Sequence, residues 1–127
     1  MRKRGKVAQM YNKKLRDFPG VELPFIAPEV KMSWFVYVVR LSKKYTERNR
    51  NKIIVKMAKR GIQCRNYFQP IHHQPFYKKK FSYKVGDFPV TESVSQRTIA
   101  LPFYNSLREK EINYVVRNFK KIITNLK

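Results

Sequence analysis

Apolar residues recur along this chain in two periods, and the switches between them predict its elements. Val7, Met10, Tyr11 and Leu15 fall at spacings of three and four with Lys and Arg between them, which predicts a helix over Val7–Phe18, stopped by Pro19-Gly20. Residues 21–31 hold Pro24 and Pro28 among Leu23, Phe25 and Ile26, the pattern of an extended connection with little regular pairing. Met32–Leu41 is an almost unbroken apolar run with Val36, Val38 and Val39 between aromatics, and predicts a central strand covered on both faces. Ile53, Ile54, Met57 and Ala58 mark a second helix, with Thr46 or Asn49 as N-cap and Gly61 as the left-handed residue after its end. A second strand is expected from Ile62 through Cys64, Asn66 and Phe68 to Pro70, then surface turns over 70–88, a short helix over Val90–Gln96 and a third strand over Thr98–Leu101. Ser106 and Glu109 have the spacing of a capping box, and behind them Ile112, Val115, Val116, Phe119, Ile122, Ile123 and Leu126 form a wide apolar stripe that must lie on a sheet. The order implies an α/β layer structure, of the α+β kind, with helices packed on a small sheet.

Length and composition narrow this further. At 127 residues the chain is one domain, and with 43% hydrophobic residues it can form a packed core despite a formal charge of +21 from 29 Lys plus Arg against 8 Asp plus Glu. Such a charge invites a polyanion partner. The basics, however, fall seven in residues 2–16, eight in 43–60 and five in 65–84, with the rest dispersed, and on the helices they take the face opposite the core. That is a solvated surface rather than a nucleic-acid stripe, so binding to nucleic acid stands as the second reading, carried by Lys78-Lys79-Lys80 between aromatics. Lys, Asn, Ile, Tyr and Phe are all residues of A/T-rich codons, and eight Asn against two Asp indicate that coding bias supplies part of the charge. The single cysteine excludes an internal disulfide, and no apolar run approaches the ~20 residues of a membrane helix, so a cytoplasmic protein is expected.

Most catalytic constellations can be set aside. The four glycines are scattered, so neither a dinucleotide fingerprint nor a P-loop can be written. His72 and His73 are adjacent, and in extended chain neighbours point to opposite sides, so no metal site is expected from them. Cys64, in the middle of an expected strand, reads as a small buried hydrophobe. Glu92 and Glu111 sit at helix starts, where they favour the dipole, and no carboxylate pair has the spacing of an acid and a base.

The segment Arg65-Asn66-Tyr67-Phe68-Gln69-Pro70-Ile71-His72-His73-Gln74-Pro75-Phe76-Tyr77 is the unusual one. It resembles the R-x-Y-F-x-P-x-H-x-Q-P-x-Y motif in the C-terminal domain of the DegT/DnrJ/StrS family of pyridoxal-phosphate sugar aminotransferases. Met32 to Leu41 resembles the family's S-W-F-x-Y-x-V strand, Arg60-Gly61-Ile62 its R-G-I turn, and Phe88-Pro89-Val90-Thr91-Glu92 its F-P-V-x-E helix start. Leu101-Pro102 and Tyr114-Val115-Val116 follow in the family's order. His73 stands where the family has an aliphatic residue, and the +21 charge is a second departure.

The resemblance implies the small domain of fold type I aminotransferases, a short antiparallel sheet of about three strands, in enzymes that are homodimers acting on nucleotide-linked keto sugars. It also implies that a large domain, absent from residues 1–127, supplies the Schiff-base lysine, the Asp at the pyridinium nitrogen and most phosphate contacts. None of the 18 lysines here lies in anything like that lysine motif, so pyridoxal phosphate is not expected to bind this chain alone, and transamination is not expected of it. A separately encoded large domain, or an intact family homodimer, is the implied partner. His72, Tyr67, Tyr77 and, less centrally, Arg65 are the residues the resemblance places near the sugar nucleotide.

Overall fold

The computed structural model describes residues 2–126. Helix α1 spans Arg2–Leu15 and buries Val7, Ala8, Tyr11 and Leu15, the expected face, with Met10 at its margin. Three strands follow in the order β1-β2-β3: β1 is Val21–Glu22, β2 is Tyr37–Leu41 and β3 is Thr98–Leu101, each antiparallel to its neighbour. Val21 pairs with Leu41, and Tyr37 with Leu101. The expected extended connection thus contributes an edge strand. Strand β2 is central, as its apolar run implied, but it is shorter than expected and alternates: Tyr37, Val39 and Leu41 are buried, while Val38 and Arg40 are half-buried.

Helix α2 (Glu47–Ala58) begins at a capping box in which the Asn49 N–H donates to Thr46 Oγ1 and the Thr46 N–H to Asn49 Oδ1. Gly61 follows its end at φ 71°, the left-handed conformation that glycine adopts without strain. The second expected strand does not form. The Ile62 N–H is spent on the Met57 carbonyl, Phe68 turns the chain at φ 51°, and only Arg65 bridges β3, through Ala100. A short helix α3 (Pro75–Phe81) replaces some of the expected turns, and α4 (Pro89–Ser95) is the expected short helix; each has proline in its first turn.

Helix α5 (Glu109–Thr124) buries Ile112, Val115, Val116, Phe119, Ile122 and Ile123. Its cap is not Ser106. The chain turns between Tyr104 and Leu107, which is buried, so the helix opens later, and the Arg108 N–H donates to Glu111 Oε2 at 2.8 Å. Glu109 is then free to pair with Lys14 of α1 at 2.9 Å. Between α1, α5 and the sheet, the Tyr37 ring stacks on Tyr11 with centroids 4.8 Å apart, and the Tyr37 hydroxyl donates to Asn12 Oδ1 at 2.6 Å. Two buried arginines hold the crossing from α4 to β3. Arg50 donates to the Ser95 carbonyl and Arg97 to the Leu41 carbonyl, both at 2.8 Å. Cys64 is buried, as expected, and burial pushes its thiol up to about 12. Among the described residues no helix is long and apolar enough to cross a membrane.

Candidate functional site

The motif segment folds around a carboxylate. Pro70 starts a 3₁₀ turn over Ile71–His73, Gln74 and Pro75 start α3, and the chain returns through Ser82 and Gly86, both at positive φ, to Pro89 and α4. Glu92, on the first turn of α4, points inward and is 8% exposed. Its Oε1 accepts from His72 Nε2 at 2.9 Å, and the Gly86 N–H reaches both carboxylate oxygens at 2.9 and 3.0 Å. The His72 hydrogen bond, and next the Gly86 N–H, hold the Glu92 carboxyl at about 2, well below the usual carboxylate value. His72 therefore carries its proton on Nε2, the nitrogen that faces this ionised acceptor.

Two expectations are corrected here. His72 and His73 do not diverge. A 3₁₀ turn is tighter than extended chain, and it brings both rings to the same carboxylate, with centroids 4.2 Å apart and His73 Nε2 3.3 Å from Glu92 Oε1. Nor does Glu92, at the expected helix start, only favour the dipole, because the turn at Gly86 closes over it.

Aromatic rings continue from this centre. Phe88 lies 4.7 Å from the His72 ring, Tyr83 lies 5.4 Å from Phe88, and Phe81 links Tyr83 to Tyr77. A cavity of about 360 Å³ is lined by Ile71, His72, Tyr77, Phe81, Tyr83 and Phe88. Of the four residues singled out in the sequence, the fold thus brings two, His72 and Tyr77, into one wall. Tyr67 lies elsewhere, its ring 4.6 Å from Phe68 and its carbonyl accepting from Thr98 Oγ1. Arg65 is exposed, with its backbone bridged to Ala100. Tyr83, Phe88, Gly86 and Glu92 join the site without having been singled out for it. The F-P-V-x-E start was the signal that could have found Phe88 and Glu92.

A lysine that forms a Schiff base has to be desolvated, and among the described residues no lysine is buried. The one buried carboxylate is already committed to His72 and Gly86. The residues present therefore do not fit pyridoxal phosphate.

An antiparallel sheet with β2 at its centre, packed on α1, α2 and α5 and carrying a proline-rich aromatic segment at one edge, defines a small α+β domain of the aminotransferase type. Structural likeness agrees. A putative sugar aminotransferase of Streptococcus pneumoniae in its PMP form superposes with a TM-score of 0.91, at 21% identity, over 99% of this chain and 31% of that one. The model of the DegT/DnrJ/EryC1/StrS aminotransferase family matches residues 1–120, and the chain belongs to that family. Among its relatives, an uncharacterized protein of Methanocaldococcus jannaschii, MJ1066, is 35% identical over 97% of this chain and 32% of its own length. The dTDP-4-dehydro-2,3,6-trideoxy-D-glucose 4-aminotransferase of Saccharopolyspora spinosa is 30% identical over 95% of this chain and 29% of its own. The chain spans about a third of the length of the curated relatives it matches.

Proposed function

We propose that this chain is the C-terminal part of a pyridoxal-phosphate-dependent aminotransferase acting on nucleotide-linked keto sugars in the cytoplasm, and that it does not transaminate alone. The observation that carries this reading is that nearly the whole chain aligns with about a third of each relative, one of them named for a dTDP-linked keto sugar. A large domain outside residues 1–127 supplies the lysine, the cofactor contacts and the proton transfer. This part supplies a wall of the substrate site. Tyr77 and His72, on the cavity behind the 3₁₀ turn, offer a hydroxyl and an aromatic face to the sugar or base, and Tyr67 and Arg65 act nearer the junction with the large domain.

The apolar side chains left exposed support a missing partner. Phe25, Phe68, Ile71, Phe76, Val85 and Val90 are all more than half exposed, five of them within residues 66–90, where a partner surface could cover them. The competing polyanion reading rests on Lys78, Lys79 and Lys80, which are exposed on α3.

The test is reconstitution. Mixed with pyridoxal phosphate, the purified chain is expected to give no absorbance band of lysine-bound pyridoxal. Co-expressed with a large domain of this family, it is expected to restore amino transfer to a nucleotide-linked keto sugar, with Tyr77→Phe raising KM. A stoichiometric band from the chain alone, abolished by mutating one lysine, overturns the reading. Tight, steeply salt-dependent nucleic-acid binding, lost when Lys78 to Lys80 are neutralised, would establish its rival.

A further inference from the structure

The group around Glu92 holds more donor chemistry than an ion pair needs. One ring nitrogen each of His72 and His73 and a Glu92 oxygen lie within 4.8 Å of one another. Ligands of a tetrahedral zinc at bond lengths near 2.1 Å stand about 3.4 Å apart. Glu92 Oε1 stands 2.9 Å from His72 Nε2 and 3.3 Å from His73 Nε2, close to that spacing, and closing the third side, between the two imidazoles, admits an ion among the three. His73 supplies the second observation. Its Nε2 is shielded from solvent and has no hydrogen-bond partner among the described residues, although it faces the carboxylate. A shielded ring nitrogen that faces a carboxylate at 3.3 Å without hydrogen-bond geometry is a ligand atom open to an ion. The carboxylate is in turn fixed by the Gly86 N–H, the outer contact that orients a metal-binding oxygen.

We propose that His72, His73 and Glu92 form a site for a borderline divalent transition-metal cation, zinc foremost, which fastens the 3₁₀ turn to α4. Two imidazoles and one carboxylate suit zinc and its neighbours rather than magnesium or calcium, which require more oxygen ligands. On binding, His72 exchanges tautomer, giving its Nε2 proton to solvent while Nδ1 takes one up, and the freed Nε2 lone pair takes the ion. Three protein ligands leave a fourth position for water. The site stands independently of the aminotransferase reading.

The experiment is titration of the metal-stripped full chain with zinc against a chromophoric chelator, followed by cobalt substitution. One equivalent of zinc is expected to bind, weakened at least about tenfold by His73→Gln, with the circular dichroism of that variant unchanged. Cys64→Ser is expected to leave binding as it was, and the cobalt spectrum to show ligand-field bands without thiolate charge transfer. His73 is only half-buried, so this variant tests the site without emptying a core position. No stoichiometric binding at micromolar zinc, equal binding by His73→Gln, or a cobalt–thiolate band lost in Cys64→Ser each overturns the proposal.

Discussion

Helices α1, α2 and α5 with the sheet, and the segment from Asn66 to Val90, are both rich in aromatic and aliphatic residues, yet they hold together by different means. Every member of the buried hydrophobic cluster lies outside residues 66–90, and within that segment only His72 is buried. Phe68, Ile71, Phe76, Phe81, Val85, Phe88 and Val90 are exposed. The first region is stabilised by the area it removes from water. The second keeps its shape through proline-started turns, a chain of ring contacts and one carboxylate shared by two histidines and a backbone N–H. Apolar side chains that find no burial within the chain are those a partner surface would cover, which is why the segment carrying the family motif is also the least self-sufficient one.

The largest effect should separate the two regions directly. Phe119, at 0% exposure, lies in the buried cluster, and Phe119→Ala should cost about 3–5 kcal/mol. Phe76, at 63% exposure, should change stability by no more than about 0.5 kcal/mol when truncated to Ala. Urea denaturation of the two variants measures both, and equal losses would break the comparison. Cys64 marks where the core ends. Burial raises its thiol from 9.0 to about 12, so at pH 8 the native chain should react with a disulfide reagent on the order of 10³ times more slowly than the unfolded chain. A thiol titration with and without denaturant tests this, and rapid native labelling would move the boundary of the core inward.

A smaller and more local effect is expected at Glu92. Glu92→Gln keeps the shape but removes the charge that accepts from His72 and Gly86. Amide exchange over residues 71–95 should then accelerate by roughly tenfold, while the amides of β2 and β3 keep their protection. Uniform acceleration across both regions would show that the segment is not a separate unit of stability.

How far the sequence could be read follows the same division. The stripe from Ile112 to Ile123 could be read because its spacing of three and four is decided by a single helix, and the face of α1 for the same reason. Ile62 to Phe68 alternates like a strand, and Ile62 and Cys64 are indeed buried, but pairing depends on what β3 leaves open, which no local pattern encodes. The cap of α5 moved because burial of Leu107 outweighs the side-chain preference of Ser106. Glu92 and the two histidines lie about twenty residues apart, and their convergence depends on Gly86 and on a 3₁₀ turn, in which neighbouring side chains do not stand opposite as they do in extended chain. Ordered motif matches could point to the family, because they sample the whole chain, but they could not show that only His72 and Tyr77 would share a cavity.

The smallest expected effect concerns the contact between α1 and α5 at the surface of the well-packed region. Lys14 Nζ donates to Glu109 Oε1 at 2.9 Å, and this hydrogen bond holds the Glu109 carboxyl below its ordinary value. A folded-state value below the unfolded one means that the pair contributes stability above the unfolded value of 4.5 and loses it as pH falls through the lower folded value. Both groups reach solvent, with Glu109 the more exposed, so screening keeps the contribution small. Lys14→Ala should therefore lower the denaturation midpoint slightly at neutral pH and low salt, less in high salt, and not at all once Glu109 is protonated. Midpoints of the two proteins measured from pH 7 to pH 3 should converge at the acid end. A difference that persists there would mean that the Lys14 side chain acts by covering apolar surface between the helices rather than by its charge.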